Sequence, residues 1–185
     1  MNAPDKLAIA AAQLNATVGD IAGNTEKARR ARREAAAAGA DIVVFSELFI
    51  AGYPPEDLVL KPAFQAACRT AIETLARETA DGGPALLIGS PWVEDGKVYN
   101  AVCLLAEGRI QGVRFKVDLP NYGVFDEKRV FAAGPPPGPI DVRGVRIGVP
   151  ITRAGPPSAV SRANCSTATR QAAWKAGLST RSSGG

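Results

Sequence analysis

Ile42-Val43-Val44-Phe45-Ser46-Glu47-Leu48-Phe49 decides the reading of this chain. Four large apolar residues in succession, three of them β-branched, read as a short strand buried on both faces. Glu47 follows at once. A loop rich in turn formers, Gly52, Pro54, Pro55 and Pro62, comes next. A carboxylate at the end of a buried strand is costly unless it is paired or put to use. Upstream, residues 7–13 read as another buried strand, and Asn24 as the N-cap of a helix over about 25–38. Ala28, Ala31, Ala35 and Ala38 give that helix a small-residue face, and Gly39 ends it. This β-α-β spacing places strands beside helices, an α/β arrangement.

Downstream, a second helix is expected over about 63–79, with Phe64, Cys68, Ala71, Ile72 and Leu75 on one face. Ala85 to Ser90 reads as a third strand. Val98 to Ala106 and Arg109 to Val117 flank Glu107-Gly108, a hairpin signal. Residues 118–138 form a long loop, of the kind that often carries function. Ile140 to Val142 and Val145 to Ile151 flank Arg143-Gly144, a second hairpin.

The chain has 185 residues, no histidine and three widely spaced cysteines. The length suffices for one domain with a real core. Without histidine, Ser-His-Asp and Cys-His pairs and histidine metal sites are excluded, so a hydrolase here needs a carboxylate base. No run of eighteen apolar residues suggests a membrane span, and residues 1–6 lack a signal-peptide core. With no disulfide framework in the cysteine spacing, the expected compartment is the cytoplasm. All 18 acidic residues lie in 1–151 with 17 of the 22 Lys and Arg, a net of −1. The remaining five cations, and no acid, lie in 152–185, so the overall +4 belongs to the tail. No basic stripe with aromatic interleaving is present, and no nucleic-acid partner is expected.

Lys116 ends an apolar strand in Val113-Arg114-Phe115-Lys116. Glu127 and Arg129 lie in Phe125-Asp126-Glu127-Lys128-Arg129-Val130-Phe131. Taken singly, each has an ordinary reading: Glu47 a strand-end carboxylate, Lys116 an edge lysine, Glu127 part of a solvated loop. Tyr53 and Tyr122 would be packing residues. Cys68 and Cys103 fall on apolar faces and read as buried structural thiols, and Cys165 has no pattern to place it.

Together these segments have a specific likeness. Ala12-Gln13-Leu14-Asn15 with Val18-Gly19-Asp20, Phe45-Ser46-Glu47-Leu48 running into Ala51-Gly52-Tyr53-Pro54-Pro55-Glu56-Asp57-Leu58, Ile88-Gly89-Ser90-Pro91 and Val98-Tyr99-Asn100-Ala101 all contribute. The long stretch from Lys116-Val117-Asp118-Leu119-Pro120-Asn121-Tyr122 to Arg129 completes it. The chain resembles the glutaminase portion of the glutamine-hydrolysing NAD synthetases, a branch of the nitrilase or carbon-nitrogen hydrolase superfamily, over residues 6–151. The resemblance implies a nitrilase-like α-β-β-α sandwich, of which this chain holds the first half. It implies Glu47 as general base, Lys116 as oxyanion holder, Glu127 as a supporting carboxylate, and Tyr53 and Tyr122 at the glutamine pocket. It implies glutamine as substrate, a homo-oligomer, and ammonia passed to a C-terminal domain that uses ATP and Mg to amidate deamido-NAD. No cofactor is expected within this stretch. The family's pyrophosphate-binding Ser-Gly-Gly-x-Asp-Ser loop is missing; Ser182-Ser183-Gly184-Gly185 is too short and lacks the Asp.

The family's nucleophilic Cys belongs after Pro150-Ile151, where Thr152 stands. From Thr152 on, 27 of 34 residues are Ala, Ser, Arg, Gly, Thr or Pro. Such a segment buries too little apolar surface to offset its ordering entropy. Residues 1–151 are therefore expected to form the partial hydrolase domain. Residues 152–185 would be either an out-of-frame reading of a GC-rich gene or a natural disordered tail. The first is preferred, because the change falls in mid-core. The expected function is that of an inactive fragment of the glutaminase; the alternatives are a non-catalytic nitrilase scaffold and a remnant of a stand-alone amidase. With later strands missing, the apolar faces of Ile42–Phe45 and Ala85–Ser90 are expected to lie uncovered.

Overall fold

The computed structural model describes residues 6–121 and 126–151. Five strands form one mixed sheet in sequence order: β1 (Ile9–Ala12), β2 (Ile42–Phe45), β3 (Ala85–Glu94), β4 (Lys97–Ala106) and β5 (Arg109–Phe115). The pairs β1–β2 and β2–β3 are parallel, joined by crossover helices α1 (Ile21–Ala37) and α2 (Pro62–Glu78); β3–β4 and β4–β5 are antiparallel hairpins. A short helix α3 (Glu127–Val130) precedes a separate two-stranded sheet of β6 (Ile140–Val142) and β7 (Val145–Ile147).

Alternation along the strands sends side chains to two faces. Val43, Phe45, Leu86, Ile88, Cys103 and Leu105 pack with Ala28 and Ala35 of α1 and Cys68, Ile72 and Leu75 of α2. On the opposite face Ile42, Ala85, Leu87, Val102 and Leu104 pack against Ile140 and Val142 of the β6–β7 hairpin. The described residues thus make three layers, helices, main sheet and small second sheet. The faces expected to lie uncovered are covered: Ile42, Ala85 and Leu87 are all buried, with Val149 and Ile151 adding to the hairpin's contact.

Other expectations shift for local reasons. Asn24 is not the N-cap of α1. Asp20 is, its Oδ1 accepting from Gly23 N at 2.9 Å. Asn24 sits inside the helix, fully buried, bonded to both Thr17 N and Thr17 O and donating to Ile50 O at 3.1 Å. It ties two loops together instead of starting a helix. Strand β1 is shorter than 7–13 and is not buried: with only β2 beside it among the described residues, Ile9 is 55% exposed. Strand β3 runs on to Glu94 and turns through Asp95-Gly96, a hairpin signal as good as Glu107-Gly108 or Arg143-Gly144. All six turn residues have positive φ, as two-residue hairpin loops of type I′ require. Strand β7 stops at Ile147, short of Ile151. No helix among the described residues is long and apolar enough to cross a membrane.

Candidate active site

The parallel strands and β5 all point their C-terminal ends the same way, and that end of the sheet gathers the charged residues. Glu47 stands two residues past β2. The turn behind it is tight: Leu48 has φ 50°, and Ile50 N donates to Gly89 O at 3.1 Å. Gly89 makes the approach possible. A Cβ there would lie 2.3 Å from Leu48 N and 2.8 Å from Ser46 O. Lys116 stands one residue past β5, its N–H donating to Asn100 O at 2.8 Å. Glu127 opens α3, its N–H donating to Pro120 O at 3.1 Å. The returning chain crosses close above β5, where Gly134 N donates to Lys116 O at 2.9 Å. A Cβ on Gly134 would meet Phe115 Cβ at 2.3 Å.

This backbone brings three sequence candidates into one ion cluster. Lys116 Nζ donates to Glu47 Oε1 at 2.7 Å and to Glu127 Oε1 at 2.9 Å. The Lys116 and Glu127 side chains are 2% and 7% exposed, that of Glu47 28%. Tyr53 joins from the loop after β2, its hydroxyl donating to Glu127 Oε1 at 3.3 Å. Burial, reinforced by the Glu127 and Glu47 carboxylates, pushes the Tyr53 phenol up to about 12. Tyr122 and Thr152 lie outside the described residues, as does the whole tail.

Asn100, not singled out from the sequence as a site residue, completes the cluster. It is fully buried, and its Nδ2 donates to Glu47 Oε1 at 2.5 Å. Two signals were available: its place in the segment Val98-Tyr99-Asn100-Ala101, and an asparagine opening the apolar run Ala101-Val102-Cys103-Leu104-Leu105. Arg129 stays outside the cluster. It reaches Asp57, Asp126 at 2.9 Å and Glu56 at 3.5 Å, and so binds α3 to the Glu56–Leu60 turn.

A cleft of about 220 Å³ opens beside this cluster, lined by Glu47, Gly89, Asn100, Val149, Pro150 and Ile151 among others. A second, of about 320 Å³, lies on the Tyr53 and Glu127 side, with Phe131 and Arg129. Burial pushes the Cys68 and Cys103 thiols up to about 12, so neither is a ready nucleophile, in keeping with a structural role. No group of His, Cys, Asp and Glu suited to a metal ion occurs among the described residues. The arrangement offers a partly exposed carboxylate for proton transfer, a buried ammonium for a developing negative charge, and a second carboxylate holding that ammonium in place.

The carbon-nitrogen hydrolase family matches residues 8–154. The chain belongs to this family. A glutamine-dependent NAD(+) synthetase of Rhodobacter capsulatus is 46% identical over 147 residues, covering 80% of this chain and 26% of that protein. The solved glutamine-dependent NAD+ synthetase of Acinetobacter baumannii superposes with a TM-score of 0.70 at 34% identity, over 76% of this chain and 26% of that one. An amidase from Nesterenkonia sp. AN1, carrying acrylamide added at its active site cysteine, gives a TM-score of 0.64 at 27% identity, over 76% and 55%. The nitrilase fold expected from the sequence is therefore present, in part. The chain spans about a quarter of the length of the synthetases it matches.

Proposed function

We propose that this chain is a piece of the glutaminase portion of a glutamine-dependent NAD synthetase, and that it is inactive on its own. The buried Lys116 between Glu47 and Glu127 carries this reading, together with the 46% identity to a named synthetase. The amidase reading has less support, at 27% identity. Nothing in the structure favours a purely non-catalytic scaffold.

In the reaction this site suits, Glu47 takes the proton of an attacking thiol. The carbonyl oxygen of the glutamine side chain gains negative charge, and Lys116 stabilises it. The proton passes to the departing amine as ammonia, leaving a thioester that water opens. Glu127 holds Lys116 in place, and Tyr53 stands beside it on the side of the second cleft. The thiol is what this sequence lacks. Thr152 stands where it is expected, and an unactivated hydroxyl is a far weaker nucleophile. ATP and Mg belong to the synthetase domain, and no step in this chain passes through them.

Two measurements test the reading. Purified protein incubated with glutamine is expected to release no ammonia above the blank; release that disappears in Glu47→Gln would overturn the inactivity. Sequencing the gene past codon 151 is expected to reveal Cys-Glu-Asp in another frame, whereas its absence in all frames removes the fragment reading.

A further inference from the structure

We infer that Asn100 is a positioning residue that fixes which oxygen of Glu47 is free to accept a proton, an inference that rests on the reading of Glu47 as general base. Asn100 sits on β4 opposite Pro91, and its carbonyl accepts from Lys116 N, so its backbone is fixed between β3 and the residue after β5. Its side chain is fully buried, and its Oδ1 is buried with no hydrogen-bond partner among the described residues. Leaving a buried acceptor unpaired is costly, and a leucine in this strand would avoid the cost. The amide is thus retained for its N–H, and the only described acceptor of that N–H is Glu47 Oε1, at 2.5 Å. Flipping the amide would set Oδ1 against the carboxylate oxygen and leave Nδ2 unpaired, so the orientation is forced.

The consequence falls on Glu47. Both Lys116 Nζ and Asn100 Nδ2 converge on Oε1, from different strands. Two donors at one oxygen hold the carboxylate in a single rotamer and occupy that oxygen. Oε2, which takes no hydrogen bond from the described residues, becomes the proton acceptor. Lys116 also turns a donor to Glu127. Asn100 supplies a second, neutral point on Oε1, from another strand, that adds to the difference between the two oxygens of Glu47.

The test is spectroscopic and independent of turnover. In the nitrogen-proton spectrum of the labelled chain, one proton of the Asn100 side-chain amide should lie downfield of the other asparagines. Glu47→Gln should return it to their range. In Asn100→Leu the carboxyl carbon resonance of Glu47 should move, while those of glutamates outside the cluster keep their positions. A merely structural role for Asn100 would move neither signal. An Asn100 amide unmoved by Glu47→Gln, or an unchanged Glu47 carboxyl resonance in a folded Asn100→Leu protein, overturns the inference. Should Asn100→Leu not fold, the Glu47→Gln spectrum alone decides. Ammonia release, which tests the glutaminase reading, enters none of these spectra, so the two fail separately.

Discussion

The buried Lys116 ammonium bridges two carboxylates, and its loss would leave them facing each other. Breaking a buried ion pair by removing one partner typically costs about 3–5 kcal/mol, because the remaining charge is uncompensated. Lys116→Ala should therefore lower unfolding free energy by about that amount, read from the urea midpoint. Tyr53 makes a pH prediction. Its phenol is raised from the ordinary 10 to about 12 in the folded chain, first by burial and then by Glu127. Above pH 10 the unfolded chain releases this proton while the folded chain keeps it. Stability present below pH 10 is then lost as pH rises toward 12. Tyr53→Phe should lose less stability between pH 9 and pH 11 than the parent, in urea titrations at both values; equal losses would show that Tyr53 does not feel the cluster. Glu47, Lys116, Glu127 and Tyr53 were legible because motif segments carry them. Asn100 lies in such a segment too, Val98-Tyr99-Asn100-Ala101, but was given no role there, because a strand's polar residue announces its partner only when a second strand is known.

Among the elements, the turn after β2 depends most on what lies beside it. Gly89 stands in β3 with the Ser46–Leu48 backbone pressed against it, leaving no room for a methyl group. Gly89→Ala must push that turn outward and carry Glu47 away from Lys116. Overpacking of this kind typically costs about 1–3 kcal/mol. Its specific mark should be a change in the Asn100 amide resonance together with the loss of stability, whereas an unchanged resonance would mean that the turn absorbs the methyl elsewhere. The elements themselves were legible where one signal dominated: α2 from its apolar spacing, β4–β5 from Glu107-Gly108. The start of α1 was misread because Asp20 and Asn24 offer the same capping chemistry one turn apart. Only the buried contacts of Asn24 with Thr17 and Ile50 distinguish them. The exposure of β1 was invisible because burial of a strand depends on its neighbours and not on its own apolarity.

For the molecule as a whole, the α/β class and the order of elements followed from periodicity, but the cover over the second face of the sheet did not. The β6–β7 hairpin reads from the sequence as a turn between two short strands; where it packs is a long-range fact. The charged cluster is long-range in the same sense. Asn100 and Glu47 are 53 positions apart, and Glu47 and Lys116 are 69. Closing loops of that length costs entropy that nearby contacts do not, and parallel pairing through crossover helices is slower than hairpin pairing. Strands β3, β4 and β5 are joined by consecutive hairpins and are expected to pair first, with β2 docking onto them afterwards. On that order the charged cluster would be the last thing the chain acquires as it folds. Amide protons of β4 and β5 should become protected from exchange before those of β2 in a pulsed refolding experiment; simultaneous protection would count against it. A nascent chain on this route carries its carboxylate base and its ammonium on separate pieces, and has no site until the pieces meet.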